Sequence, residues 1–318
     1  MRCEEFSLGC PPDLPGDLAL AVGTFDGVHL GHQRLIGRLV EGARGAGLPA
    51  AVLTFEPHPL EVVRPGNGPG RLTLPEEKAA LVAALGVDLL LVMRFDRELA
   101  ALEASDFAHQ VLERMLRARQ VYVGFSFSFG RGGRGTPADL LRWGQERGVR
   151  VEVMPPVRVG TQVVSSTAIR EALTRGAVGR ARQMLGRAYA VAGRVIAGDG
   201  RGRTLGYPTA NVDCPPGKLM PAPGVYAVWV NGDQPGVANF GCRPTFGGGE
   251  LRLEVYLPGA SGDLYGRTVE VAFWRRLRGE RAFADAGALA RQLEADRRRA
   301  LEVLRVYTGG TVCYNRRG

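Results

Sequence analysis

The pattern of apolar residues changes character near Gly186, and this limits the folds open to the chain more than any other feature. Before it, short apolar runs alternate with segments of helical period. Ala50 to Phe55 (AAVLTF), Leu89 to Met93 (LLLVM), Val121 to Val123 and Val149 to Met154 read as strands. Between them, Pro75 to Leu85, Ser105 to Leu116 and Pro137 to Arg147 read as helices, two of them opening on proline. Such alternation builds a parallel sheet with helices on both faces. Two short helices follow, Thr167 to Thr174 and Val178 to Leu185. From Tyr189 onward come short strands with Gly/Pro turns (YAVAGRVIAG, GVYAVWVNG, GVANFG, LRLEVYL, TVEVAFWRRL), the pattern of a small barrel. A helix from Phe283 to Leu304 closes it, and 306–318 has no periodicity. The expected fold is an α/β Rossmann-like domain over 1–186, then a small antiparallel β-barrel domain with a C-terminal helix over 187–318. A chain of 318 residues has room for two domains on a prior of ~150 each.

Within the first half, AVGTFDGVHLGHQRLI (Ala21 to Ile36) joins an apolar strand, a glycine turn and the start of an amphipathic helix. Gly23 and Gly27 permit positive φ or close backbone approach, and His29 and His32 fall on one face of the first helical turn. Unpaired N–H groups and the positive dipole end suit phosphate. Half a zinc site and a pair of capping histidines are the other two readings, but the spacing is not HExxH. Later, Ser165-Ser166-Thr167 precedes a helix whose first turn carries Arg170. Hydroxyl residues there are ordinary caps, whereas a first-turn cation opposes the helix dipole unless an anion compensates it. Ligands of parallel sheets lie beyond the strand C-termini, where Gly23 to His32 and the loop Gly124 to Gly135 fall.

Composition narrows the partners. Net charge +9 is spread over scattered arginines, which suits phosphorylated small molecules better than nucleic acid. The only lysines, Lys78 and Lys218, lie outside any GxxxxGK[ST] loop. No run of eighteen apolar residues and no signal-like N-terminus is present, and five cysteines without a CxxC pair make a poor disulfide framework. A reduced cytoplasmic protein is expected, without membrane attachment.

In the second half no histidine is present, so a general base there is a carboxylate. In LRLEVYL, alternation puts Arg252, Glu254 and Tyr256 on one face and the aliphatic residues on the other. An exposed cross-strand glutamate is the plain alternative. The loop with Gly198, Gly200 and Gly202 brings backbone N–H groups to phosphate. Thr209 and Asn211, two apart in LGYPTAN, can point a hydroxyl and an amide oxygen to the same magnesium ion; a proline turn with ordinary polar residues is the plain alternative.

GTFDGVHLGHQRLI, TFEPHP (Thr54 to Pro59), VGFSFSFGRGGRG (Val123 to Gly135) and SSTAIR together resemble the FMN adenylyltransferase module of bacterial bifunctional riboflavin kinase/FAD synthetases. GDGRG, LGYPTAN, GVYA, NFGCRPTF, EVYL, DLYG and LRGERAF follow the order seen in riboflavin kinases. The resemblance implies a nucleotidyltransferase domain followed by a kinase barrel, making FMN and then FAD from riboflavin and ATP with magnesium. It makes His29, His32 and Arg170 catalytic on the ATP phosphates. Gly23, Asp26, Gly27, Gly31, Ser165, Ser166 and Thr167 would line the nucleotide pocket, and Gly124 and Ser126 its flavin side. In the barrel, Gly198, Gly200 and Gly202 would cover phosphate, Thr209 and Asn211 would hold Mg-ATP, and Glu254 would take the proton from the ribityl 5′-hydroxyl. Riboflavin, FMN and ATP are the implied partners, with flavoproteins as possible clients. Ser126 stands where the family usually has Asp or Asn, which leaves open a riboflavin kinase whose adenylyltransferase half is weakened.

Overall fold

A computed structural model describes residues 1–66, 68–197, 209–242, 251–258 and 264–308. The chain divides into two compact units, Met1–Ser166 and Thr167–Gly318.

Unit one is built on a six-stranded sheet of β1 (Arg2–Phe6), β2 (Leu18–Val22), β3 (Ala50–Glu56), β4 (Leu89–Arg94), β5 (Ala118–Gly124) and β6 (Arg150–Met154). Its order is β1-β4-β3-β2-β5-β6, with every pair parallel. β2 is buried at all five residues, as a strand covered on both faces must be. Helix α1 (Leu30–Ala46) lays Leu35, Ile36, Leu39, Val40 and Ala43 into one core with Ala19, Ala21, Val52 and Tyr122. On the opposite face Leu18, Leu20, Leu53, Leu91 and Val121 pack with Phe107, Val111 and Leu112. Successive strands move from β2 to β3 and β4 on one side, then cross to β5 on the other. The loops that follow β2 and β5 therefore emerge at the point where the strand order reverses.

Short helices α2 (Pro59–Val63), α3 (Pro75–Ala83), α4 (Arg97–Ala101) and α5 (Ala104–Asp106) precede α6 (Pro137–Arg147). Thr136 and Asp139 cap α6 reciprocally and Pro137 occupies its first turn. The helix expected over 105–116 is a single α-turn followed by a π-helical stretch, Phe107–Met115. Leu116 N–H bonds Val111 O at 2.9 Å, five residues back. The buried positions Phe107, Val111 and Leu116 are spaced four and then five apart, which the wider turn brings onto one face. Strand β1 was not apparent in the polar RCEEF; it is held by pairing along the backbone of β4.

Unit two opens with α7 (Ser166–Thr174, whose first residue closes unit one) and α8 (Val178–Leu185). These helices group with the barrel. Arg182 stacks 3.8 Å over the Trp274 ring, and Ala222 N–H bonds Leu173 O at 2.9 Å. The barrel comprises β9 (Tyr189–Ile196), β10 (Thr209–Asp213), β11 (Gly224–Val230), β12 (Gln234–Cys242), β13 (Leu251–Tyr256) and β14 (Thr268–Arg278). It closes in the order β10-β13-β12-β11-β14-β9 and back to β10, antiparallel throughout. Tyr226 and Phe273 meet edge to face in its interior, centroids 5.2 Å apart. The last helix, α9, spans Ala286–Thr308 and starts at Asp285, whose carboxylate accepts from Ala288 N–H at 2.7 Å. It seats Ala300 and Leu304 on Val225, Ala227, Val237 and Leu277.

Candidate functional site

The loop from β2 into α1 carries the residues singled out between Gly23 and His32. Phe25 and Val28 both take positive φ, 48° and 37°, so the chain turns sharply before the helix. His29 caps α1 from an extended conformation, its Nδ1 accepting from His32 N–H at 3.2 Å. The two imidazoles then stack, with centroids 3.6 Å and planes 15° apart, and Phe25 meets His32 edge-on at 5.1 Å. Gly31 permits this arrangement, because a Cβ there would lie 3.1 Å from the His29 ring. Burial, with His29 and Lys78 adding charge nearby, pushes His32 well below the ordinary imidazole range. Its Nδ1 is buried without a hydrogen-bond partner among the described residues.

Asp26 serves the loop more than the solvent. Its carboxylate is buried and accepts from Leu72 N–H (3.1 Å), Thr73 N–H (2.9 Å) and Thr73 Oγ1 (3.1 Å), while Gly27 N–H donates to Thr73 Oγ1 at 3.0 Å. Lys78, buried, donates from Nζ to Glu56 (3.1 Å) and Thr54 Oγ1 (3.3 Å), and Thr54 donates to Thr24 O at 3.1 Å. Arg71 links Glu56 and Glu61, each at 2.8 Å. The segment Arg71 to Lys78 is thus a second clasp on the histidine loop. Sequence reasoning missed it; the available signal was a single lysine in an arginine-rich first half.

Ser166 Oγ donates to Asp26 O at 2.8 Å, which brings the start of SSTAIR onto the same loop. Ser165 is half-buried beside it in sequence; Thr167 is exposed in α7, and Arg170 follows Ser166 by one helical turn, half-buried. Gly124 ends β5, next to β2, and Ser126 is exposed in the turn closed by Phe127 N–H on Gly124 O at 3.0 Å. Beneath that turn Phe127 stacks on Phe129, which meets Phe107.

In the barrel, strand register supplies the geometry. Asn211 on β10 stands directly across from Glu254 on β13, and Thr209 across from Tyr256. Opposed residues share a face with Cβ atoms ~5 Å apart. Leu253, Val255 and Leu257 are buried on the other face, as alternation requires, and Glu254 is half-buried. Asn211 is buried, and among the described residues its Oδ1 has no hydrogen-bond partner. A buried amide oxygen without a partner, on one sheet face with a hydroxyl residue and a carboxylate, suits a hard cation with phosphate ligands. Gly198, Gly200 and Gly202 lie outside the described residues.

Residues 12–168 match the FAD synthetase family model and residues 185–304 the riboflavin kinase model. Curated relatives described as bifunctional riboflavin kinase/FMN adenylyltransferase include proteins from Escherichia coli K12, Pseudomonas fluorescens and Bacillus subtilis. The first is 42% identical over 287 residues, covering 89% of this chain and 91% of the relative. The second is 40% identical, covering 86% and 89%; the third is 38% identical, covering 89% and 91%. A crystal structure from Streptococcus pneumoniae, described as a macrolide-efflux protein, aligns over 94% of this chain and 98% of its own, with TM-score 0.85 and 32% identity. Among the described residues no helix is long and apolar enough to cross a membrane.

Proposed function

Since the chain belongs to the bifunctional riboflavin kinase/FMN adenylyltransferase family, and is thus a transferase, we propose that its two sets of residues carry two successive reactions. At the barrel, the ribityl 5′-hydroxyl of riboflavin attacks the γ-phosphorus of ATP, giving FMN and ADP. In the α/β unit, a phosphate oxygen of FMN attacks the α-phosphorus of a second ATP, giving FAD and pyrophosphate. What supports this reading most is that each family match falls where the side chains suit its reaction: an imidazole pair over a helix start in 12–168, and a carboxylate facing an amide oxygen in 185–304.

For phosphoryl transfer Glu254 takes the hydroxyl proton as the oxygen bonds to phosphorus and the ADP oxygen departs. Thr209 and Asn211 are the residues that would hold Mg²⁺, which when bound supplies positive charge to the phosphates. For adenylyl transfer no protein nucleophile is needed: positioning and charge stabilisation of the α-phosphate suffice. His29 and His32 offer imidazole N–H groups at a helix N-terminus, where the backbone dipole adds to them. Arg170 and the hydroxyls of Ser165, Ser166 and Thr167 complete the phosphate contacts. Gly23, Gly27 and Gly31 let the nucleotide approach the backbone, and Gly124 and Ser126 face the flavin. The substrates are soluble small molecules, so the proposal places the protein in the cytoplasm, without nucleic acid or membrane partners, passing its products to flavoproteins.

Incubation with riboflavin and Mg-ATP, followed by separation of FMN from FAD and of ADP from pyrophosphate, tests the reading. Both flavins with both by-products are expected. FMN alone would point to the weakened adenylyltransferase that Ser126 leaves open, and neither product would refute the proposal.

A further inference from the structure

On the outer face of the barrel, Glu254 has two neighbours in register, and only one of them belongs to the phosphate side. Asn211 faces it from β10 and Asn239 faces it from β12. The two amides differ in their surroundings. Asn211 is buried, and beyond it the row passes to Ile196 on β9. Asn239 is exposed, and beyond it the row passes to Val225 on β11, part of the apolar seam under α9. At the next position of the same face β12 has Gly241, and the space a side chain would fill there is taken by the Glu280 carboxylate. The β12 side of Glu254 is therefore exposed at Asn239, at the margin of the apolar seam that α9 covers, while the β10 side offers oxygen ligands for a cation.

Resting on the kinase reading above, we propose that Asn239 is a substrate-binding residue of the phosphorylation site, which hydrogen-bonds a secondary hydroxyl of the ribityl chain and so orients the 5′-hydroxyl toward Glu254. The site is then polar in a defined sense: Mg-ATP lies on the β10 side of the base and the alcohol on the β12 side. A carboxamide suits this place because it donates and accepts at once, as a polyol hydroxyl requires. The alternative role, a second phosphate or metal ligand, would demand that Asn239 act on ATP instead.

Asn239→Ala separates these roles. The expected result is a riboflavin KM raised about tenfold, the size of one lost neutral hydrogen bond left partly uncompensated, with the KM for Mg-ATP unchanged. Riboflavin analogues lacking one ribityl hydroxyl each, at 2′, 3′ or 4′, give the second readout. For one of them the penalty shown by the unaltered enzyme should vanish in Asn239→Ala, because the bond it deletes is already gone. Asn239→Ser, which keeps a donor and an acceptor on a smaller side chain, should recover part of the loss and supports a reading should the alanine variant fold poorly. A raised KM for Mg-ATP with that for riboflavin unchanged, or equal penalties for every analogue in both proteins, would overturn the assignment. If the unaltered protein makes no FMN, the kinase reading itself fails; if it does and Asn239→Ala behaves identically, only this inference fails.

Discussion

The imidazole of His29 lies flat against that of His32, centroids 3.6 Å apart, while its Nδ1 caps the helix from which His32 projects. Two cations so placed would repel, and burial already disfavours a charge on His32. The folded value of His32 thus lies below its unfolded one. The unfolded chain takes up more protons as pH falls from about 6.5, so stability is full above that pH and declines below it. His32→Asn should flatten this decline, measured as melting temperature against pH. It should also slow FAD formation from supplied FMN by ~10²-fold or more while leaving FMN formation unchanged.

Gly31→Ala probes the same stack sterically. Alanine favours helix by ~1 kcal/mol, but its Cβ would press on the His29 ring at 3.1 Å. We expect a stability change within about 1 kcal/mol and a marked fall in adenylyl transfer. A variant that turns over at the original rate would show that the ring position is immaterial.

Asp26 is held by two main-chain N–H groups and a hydroxyl. Asp26→Asn turns an amide NH₂ toward donors and removes the charge that strengthens those bonds, so a loss of about 2 kcal/mol is expected in denaturant unfolding. Adenylyl transfer should fall with it, since the same loop carries His29 and His32.

At the barrel, Glu254→Gln should lower FMN formation by ~10²- to 10⁴-fold and spare FAD formation from supplied FMN. Asn211→Leu makes a sharper pair with it. Its Oδ1 has no protein partner among the described residues, so an apolar isostere forfeits no bond from that oxygen, and the unfolding free energy should change by no more than about 1 kcal/mol. The requirement for magnesium should nonetheless rise at least severalfold, read from the Mg²⁺ dependence of ADP release.

Local pattern carried much of this arrangement. The strand, turn and helix of AVGTFDGVHLGHQRLI, the proline-opened helices and the switch to short strands after Tyr189 all follow from near-neighbour periodicity, and the structure has them. What stayed hidden depends on distant residues. Thr73 meets Asp26 from 47 positions away, and Asn239 meets Glu254 only through the β12–β13 register. The π-helical stretch escaped because an apolar face spaced four and five apart also satisfies an ordinary helical reading over nine residues. Strand β1 escaped because its pairing uses backbone, which polar residues supply as well as apolar ones.

The two outermost strands of the parallel sheet also differ in kind from those within. β1 reads RCEEF and β6 reads RVEVM, whereas β2 at the centre reads LALAV. Arg2 pairs with Glu4, and Glu152 is gripped by Arg38 and Arg150. A foreign strand laid along either border would have to bury or displace these charges, and the barrel, being closed, has no border at all. Each unit is guarded by a different device against adding strands from another molecule, one by electrostatics and the other by geometry.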